Sequence, residues 1–270
     1  MDAKIATNKE LWDSRVAGHM ASKFYDMEGF RAGQSSLKAL DLELMGSVQG
    51  LSLLHLQCHF GQDTLSWARM GAQVTGVDFS DAAVEAARQL AQELQIPARF
   101  EVADLMSYRP DDRYDRVYTS YGVLGWLPDL NIWADLVASA LKPGGRLVLV
   151  EFHPALLMHS FSTGDVTYEY FHHGSSETVT GSYADTDDQS ERTEHFWSHS
   201  LADVMTPLLR RGLRLTDFRE VGWSPYGCFE GMKETAPGEW IFGPRSPRLP
   251  HIFALTMEKP SRDSEPFQVL

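Results

Sequence analysis

The strongest constraint on the fold is a regular alternation of short apolar runs and helix-forming segments. An apolar run occupies residues 51–58, further short strands are predicted at 73–79, 100–103, 116–120 and 146–152, and helix-forming segments occupy residues 63–70, 82–94 and 128–141. Continuous apolar runs of this length are typical of parallel strands buried on both faces. The alternation therefore predicts a doubly wound α/β sheet with right-handed crossovers and helices on both faces.

The pattern changes after Pro154. Short strands at 166–171 and 178–183, around a Gly-Ser turn, predict an antiparallel β-hairpin inserted at about 160–190. A helix at 200–211 and strands at 213–221 and 252–258 then resume the alternation. The long loop at 222–250 is rich in aromatic residues, which favours a functional segment over a linker.

The rest of the chain divides around this unit. Residues 1–50 have an amphipathic helical pattern and are expected to form a lid, residues 51–260 the main domain, and residues 261–270 a frayed tail. The N-terminus lacks the apolar core of a signal peptide. The chain also has no apolar stretch long enough to cross a membrane, so a cytoplasmic protein is expected.

The charge of the chain disfavours one class of partner. The formal net charge is -13, and no run of lysine and arginine offsets it, so a phosphate backbone would be repelled and nucleic acid is not expected to bind. The two cysteines, Cys58 and Cys228, are far apart in the sequence and are interpreted as free thiols.

Five short phrases follow one another in the order of the predicted strands. The first strand runs into a turn, Gln57-Cys58-His59-Phe60-Gly61, and the second ends at Asp78, whose carboxylate can accept hydrogen bonds from two ribose hydroxyls. Asp104 follows the third strand, residues 114–121 form the fourth strand, and a Lys-Pro-Gly-Gly phrase at 142–145 precedes the fifth.

From Leu53 onward these phrases resemble the Rossmann-like (class I) S-adenosylmethionine-dependent methyltransferases, and the turn resembles a bacterial subgroup of small-molecule or unassigned members. The resemblance implies a mostly parallel seven-stranded sheet and S-adenosylmethionine as cofactor. The turn departs from the family pattern, because Gln57 and His59 replace glycines and His55 replaces an acidic residue. Positive backbone angles or a close ligand approach are the usual reasons for glycine there.

The resemblance also implies a set of cofactor-binding residues at the carboxyl ends of the strands. Asp78 would bind the ribose and Asp104 the adenine amino group, and Tyr25 matches a tyrosine that related enzymes place near the cofactor. The full expected set is Tyr25, Gln57, Cys58, His59, Gly61, Asp63, Thr64, Asp78, Phe79, Ser80, Asp104, Leu105, Ser120 and Tyr121.

The candidates for a catalytic group are His153, His195, His199 and Tyr121, because histidine titrates near neutral pH and Tyr121 follows the fourth strand. For each histidine a structural role is as well supported as a catalytic one. His195 and His199 have the spacing of two metal ligands at the start of a helix, but no third ligand accompanies them, so no metal is expected.

The reaction expected is methyl transfer by in-line displacement to a small, partly apolar or aromatic acceptor. The sequence does not identify the acceptor or its accepting atom. Two alternatives stay open: a catalytically inactive member that binds the cofactor or another protein, and a nicotinamide-dependent oxidoreductase, which the missing Gly-x-Gly-x-x-Gly pattern disfavours. The exposed edges of the hairpin would allow a homodimer.

Overall fold

A seven-stranded sheet forms the centre of the protein. The computed structural model describes residues 2–185, 187–243 and 249–261. In spatial order the strands are β3-β2-β1-β4-β5-β11-β8, and only β11 runs antiparallel to its neighbours. Their bounds are β1 Ser52–Leu56, β2 Gln73–Asp78, β3 Arg99–Val102, β4 Tyr114–Ser120, β5 Leu141–Phe152, β8 Arg214–Val221 and β11 Ile252–Glu258.

Helices cover both faces of this sheet. They are α1 Ala3–Ala21, α2 Met27–Arg31, α3 Ala39–Met45, α4 Gln62–Arg69, α5 Asp81–Glu93, α6 Leu130–Ala140, α7 Pro154–Leu157 and α8 Leu201–Arg210, with a 3₁₀ turn at Leu124–Trp126. In β1, Leu54 and Leu56 pack in the core beneath α6 and α8, whereas Leu53 packs in the core beneath α3. Successive strand residues point to opposite faces, so apolar residues at every position bury both faces. The predicted fold class is confirmed.

The inserted hairpin is antiparallel as predicted, but its strands lie elsewhere. They are β6 His173–Thr180 and β7 Glu191–Ser198, and of the segment predicted as the first strand only Val166 forms an isolated bridge, with His159. The Gly-Ser pair that suggested a turn lies inside β6. Gly174 is required there by close packing, since a Cβ atom would lie 2.9 Å from Nε1 of Trp197. His195 consequently lies in a strand, and not at the start of a helix.

The loop at 222–250 contains a second hairpin, which the sequence pattern did not predict. Its strands are β9 Met232–Ala236 and β10 Glu239–Phe242. Residues 244–248 of this loop and 262–270 of the expected tail lie outside the described residues. Within the described part of the chain, no helix combines the length and apolarity needed to cross a membrane.

Candidate active site

A cavity of about 670 Å³ opens at the carboxyl ends of β1, β2 and β4, where ligands bind in doubly wound sheets. Its floor is the turn after β1 together with the residues that follow β2 and β4. Its walls come from α1, from the segment between α1 and α3, from the hairpin β6–β7 and from the loop after β8. The site is therefore enclosed by the segments that the sequence placed at this edge.

The turn after β1 keeps a glycine-like backbone without most of the glycines. Gln57 has a φ angle of 56°, His59 of 50° and Gly61 of 81°. Left-handed backbone costs a residue with a Cβ atom about 1–2 kcal/mol. The Gln57 side chain donates a hydrogen bond from Nε2 to the carbonyl of Val123, at 2.8 Å. The turn thus has the conformation for which the family pattern uses glycine.

Backbone strain is concentrated at this cavity. Among the described residues, five that are not glycine have a positive φ angle, and four of them line the cavity: Asp26, Gln57, His59 and Tyr121. The fifth, Gln95, follows α5 away from it. Strained residues persist where the surroundings fix them and tend to cluster at functional sites. The distribution independently marks this cavity as the functional site.

Asp78 lies at the end of β2 and faces the cavity. Its Oδ2 accepts a hydrogen bond from the backbone amide of His59 at 2.8 Å, and its Oδ1 accepts one from the amide of Ser80 at 2.9 Å. Burial raises the pKa of this carboxyl to about 6, although these amides lower it. At pH 7 it is a carboxylate with remaining lone pairs, which can accept hydrogen bonds from the hydroxyls of a ligand.

His55 occupies the position at which the family pattern has an acidic residue. Its Nδ1 lies 2.8 Å from Oγ1 of Thr64, and burial lowers its pKa to about 3. The imidazole is therefore neutral. The hydroxyl of Thr64 forms this hydrogen bond with His55, and Thr64 does not line the cavity.

The cavity brings together ten of the fourteen expected cofactor-binding residues: Tyr25, Gln57, Cys58, His59, Gly61, Asp63, Asp78, Phe79, Ser120 and Tyr121. Ser80 is instead the N-cap of α5, and its Oγ donates to Asp13 in α1 at 2.6 Å. The Asp104 carboxylate accepts from the amide of Met106, and Leu105 packs in the core. The proposed contact of Asp104 with adenine has no support from the cavity.

The three candidate histidines lie outside the cavity. Nε2 of His153 lies 2.9 Å from Glu220, and Nδ1 of His195 lies 2.7 Å from Oγ of Ser176. Nε2 of His199 lies 2.8 Å from the carbonyl of Leu127, and burial lowers the pKa of His199 to about 4. These contacts hold structural elements together, so the geometry favours the structural role, and catalysis by a histidine stays a prediction. Among the described residues no group of three potential ligands could hold a metal ion.

The N-terminal helix is tied to both the turn and the hairpin. Nδ1 of His19 lies 3.1 Å from Nε2 of His59, and Nε2 of His19 lies 3.0 Å from Oγ of Ser182. Burial lowers the pKa of both imidazoles, that of His19 to about 4, so the contact joins two neutral rings. Asn8 also exchanges two hydrogen bonds with the backbone of His195. The expected lid is thus packed over the cavity.

Aromatic rings form the wall on the side of β4. Tyr121 lies edge-on to Tyr226 with ring centroids 5.0 Å apart, Phe24 stacks on Tyr226 at 5.5 Å, and Tyr183 lies 5.1 Å from Phe24. The sequence pattern indicated the aromatic content of the loop and Tyr121 as a site residue, but it did not identify Phe24 and Tyr183 as wall residues. The only signal in the sequence was the amphipathic N-terminal segment for Phe24 and the predicted strand at 178–183 for Tyr183.

Comparison with known protein families finds a match, which covers the middle of the N-terminal two thirds of the chain. A family model described as "Methyltransferase domain" matches residues 53–145. The ubiquinone biosynthesis O-methyltransferase of Alkalilimnicola ehrlichii is 29% identical over 154 residues, 54% of this chain and 62% of that protein. The enzyme of the same name from Xanthomonas euvesicatoria is 32% identical over 136 residues, 48% of this chain and 56% of that protein. The chain therefore matches less than two thirds of the length of these relatives.

Solved structures match over more of the chain. A putative S-adenosylmethionine-dependent methyltransferase from Listeria monocytogenes has a TM-score of 0.60 at 16% identity, covering 90% of this chain and 98% of that one. The DhpI–SAH complex has a TM-score of 0.55 at 17% identity, covering 96% and 98%. At such identities the likeness establishes the fold alone.

Proposed function

We propose that this chain is a Rossmann-like (class I) S-adenosylmethionine-dependent methyltransferase and that it transfers a methyl group to a small, partly apolar or aromatic acceptor by in-line displacement. The observation that carries the proposal is the cavity itself. One carboxylate, Asp78, faces it from the end of β2, beside a turn whose backbone keeps the family's conformation at Gln57 and His59. The family of the chain and the names of its relatives support the same chemistry.

The residues present fit the cofactor. Asp78 has lone pairs left for two ribose hydroxyls after its bonds to backbone amides, and the aromatic wall offers ring faces to a sulfonium, which such faces attract. When bound, S-adenosylmethionine supplies the activated methyl group. The protein's share is to hold the acceptor in line with it and to exclude water.

The size of the cavity supports a small acceptor. Its volume of about 670 Å³ is within the range of small-molecule sites. Both wall segments that cover it, α1 and the hairpin, are tied down by hydrogen bonds, so a large polymer would have to displace them. The curated relatives are named O-methyltransferases, which supports oxygen as the accepting atom.

Calorimetry with S-adenosylmethionine, its demethylated product S-adenosylhomocysteine, and NAD tests the cofactor. We expect both sulfur nucleotides to bind and NAD not to bind. Asp78→Ala should lose at least about tenfold in affinity, the effect of removing a charged hydrogen-bonding partner. Asp112→Ala, at a site 71% exposed, is the matched control and should bind as the wild type does. If neither sulfur nucleotide binds at millimolar concentration, the proposal is contradicted.

A catalytically inactive cofactor-binding member is the second candidate function. It is favoured by one observation, the replacement of two turn glycines by Gln57 and His59. Incubation with methyl-labelled cofactor and a panel of small phenols and amines separates the two, since an inactive member binds the cofactor and labels nothing. Turnover of any acceptor would exclude it.

A homodimer formed through the hairpin also stays a proposal. Its support is β6, which among the described residues pairs only with β7, in a sheet of two strands separate from the central one. The other edge of β7 is contacted by Asn8 of α1. Light scattering after gel filtration measures the mass in solution. A monomeric mass at micromolar concentration would contradict the proposal.

A further inference from the structure

One charged residue of the cavity wall has no polar partner. The charged residues that line the cavity are Arg15, Asp26, Lys38, Asp63, Asp78 and Glu194. Arg15 pairs with Glu194 at 3.7 Å, and Asp26 accepts from the amide of Gly29 at 3.1 Å. Asp63 accepts from Oγ of Ser36 at 2.6 Å, and Asp78 accepts from two backbone amides. Of these six charged groups, all within the described ranges, only the Lys38 ammonium has neither a hydrogen bond nor an ion pair.

The Lys38 ammonium is instead held against the aromatic wall. Its Nζ lies 4.5 Å from the ring centroid of Tyr226, the tyrosine that contacts Tyr121 and Phe24. A cation–π contact orients an ammonium, but it leaves the three N–H donors without acceptors. The positive charge of Lys38 acts to lower the pKa of Asp63, which burial raises, but the Asp63 carboxylate already accepts from Ser36 and forms no ion pair with Lys38. The ammonium is thus available to an anion in the cavity.

The aromatic wall lies apart from Asp78, the carboxylate proposed to bind the ribose. Asp78 ends β2, Tyr121 follows β4, and β1 lies between these two strands. Neighbouring strands are about 4.8 Å apart, so the two residues are about 10 Å apart across the sheet. Lys38, Tyr226 and Tyr121 therefore lie on the side of the cavity away from the proposed adenosine site, where an acceptor would bind.

We propose that Lys38 is an anion-recognition residue for the methyl acceptor, and that the acceptor is a planar molecule carrying a carboxylate or a similar anionic group. The ring would pack against Tyr226 and Tyr121, and the anion would accept hydrogen bonds from the Lys38 ammonium. This inference about Lys38 rests on the proposed function, because the side of the cavity that binds the acceptor is defined by where the cofactor binds. A carboxylate has a second source, the methionine part of the cofactor, and the experiment separates the two.

The test uses the full-length protein saturated with S-adenosylhomocysteine, and benzoate and benzamide as probes of equal shape and different charge. Binding is followed by NMR saturation transfer and titration in the millimolar range. We expect the wild type to prefer benzoate by at least about tenfold, as a charged hydrogen bond predicts. Lys38→Met should abolish the preference, and Lys38→Arg should retain it. Lys23→Met, at an exposed lysine outside the cavity, should behave as the wild type does.

Each outcome has a distinct meaning. Equal binding of the two probes, or no binding of either, would overturn the proposal while leaving the methyltransferase function standing. A loss of S-adenosylhomocysteine affinity in Lys38→Met would assign the anion to the cofactor and overturn the acceptor assignment. If the wild type binds no S-adenosylhomocysteine, the proposed function itself fails, and calorimetry shows this before any probe is added.

Discussion

Single residues of the cavity wall hold backbone conformations that their side chains disfavour. Gln57 and Gln95 have almost the same φ angle, 56° and 55°, but only Gln57 lines the cavity and donates a hydrogen bond to Val123. We expect Gln95→Gly to stabilise the protein by about 0.5–1 kcal/mol, the relief of strain less the entropy of glycine. Gln57→Gly should be about 1 kcal/mol less favourable, because it also loses the hydrogen bond.

Urea unfolding of the two variants measures this difference. Equal stabilisation by both substitutions would show that the Gln57 side chain contributes nothing to the fold, and that its retention in the turn concerns the ligand alone. A smaller effect of Gln57→Gly would show that the hydrogen bond to Val123 helps to hold the turn in the absence of ligand.

Asp41 is a buried carboxyl behind the aromatic wall and makes the fold sensitive to pH. Burial and the negative charge of Asp63 raise its pKa from 3.8 to about 7, although the hydroxyls of Tyr118 and Tyr121 act in the opposite direction. The folded protein then keeps a proton that the unfolded chain has lost, so stability falls as the pH rises from about 4 to 7. The side-chain amide of the Asp41→Asn variant cannot ionise. We therefore expect the free energy of unfolding of this variant to fall less over this pH range than that of the wild type.

Urea unfolding at about pH 5 and pH 8 provides the measurement. Other buried carboxyls also titrate, so the quantity to compare is the change in stability between the two pH values, wild type against variant. Asp112→Asn, at an exposed site, serves as the control and should reproduce the wild-type change. An Asp41→Asn variant with the full wild-type pH dependence would contradict the assignment.

At the scale of elements, the hairpin packs tightly against the 3₁₀ turn Leu124–Trp126. A Cβ atom at Gly125, in the 3₁₀ turn, would collide with the ring of Phe196 in β7. We expect Gly125→Ala to cost about 1–3 kcal/mol, as overpacking does, and to increase hydrogen exchange in β7. Gly222→Ala is the matched control, because nothing lies within 4 Å of its Cβ and its φ angle is not positive. Exchange that rises equally in the central sheet would argue against a local effect.

The elements that the sequence predicts best are those buried on both faces. The strands β1, β2, β4 and β11 are largely buried, and each was expected within about two residues of its observed bounds. β5 was also expected, but it begins at Leu141 and not at Arg146. The hairpin was misplaced because β6 is polar and half exposed, so its alternation carries little signal. Gly174 then appeared to mark a turn, although packing against Trp197 explains it.

The same physical reason limits prediction of the site. Residues that follow a buried strand, such as Asp78 and Tyr121, are fixed in space by the sheet, and both face the cavity as expected. Lid residues come from segments whose packing the local sequence does not determine, so Lys38 and Tyr226 could not be placed beforehand. His195 and His199 were candidates for catalysis by residue type alone, and only the tertiary fold shows that they form hydrogen bonds outside the cavity.

At the scale of the whole molecule, the cavity joins four separate parts of the chain. The turn after β1, α1, the hairpin and the loop after β8 all line it, and the His59–His19–Ser182 contacts already connect three of them. A ligand that fills the cavity touches them together and stabilises the folded state by mass action, about 2.7 kcal/mol at a hundred times its dissociation constant. We expect S-adenosylhomocysteine to lower hydrogen exchange in all four parts at once.

Mass spectrometry of deuterium uptake, with and without S-adenosylhomocysteine, resolves these four parts as separate peptides. Asp78→Ala at the same ligand concentration should lose the protection everywhere, because a single binding event produces it. Protection confined to residues 57–61 would mean that the lid closes independently of the cofactor. In that case the lid would respond to the acceptor alone, and protection of α1 and the hairpin should then appear only when benzoate is also present.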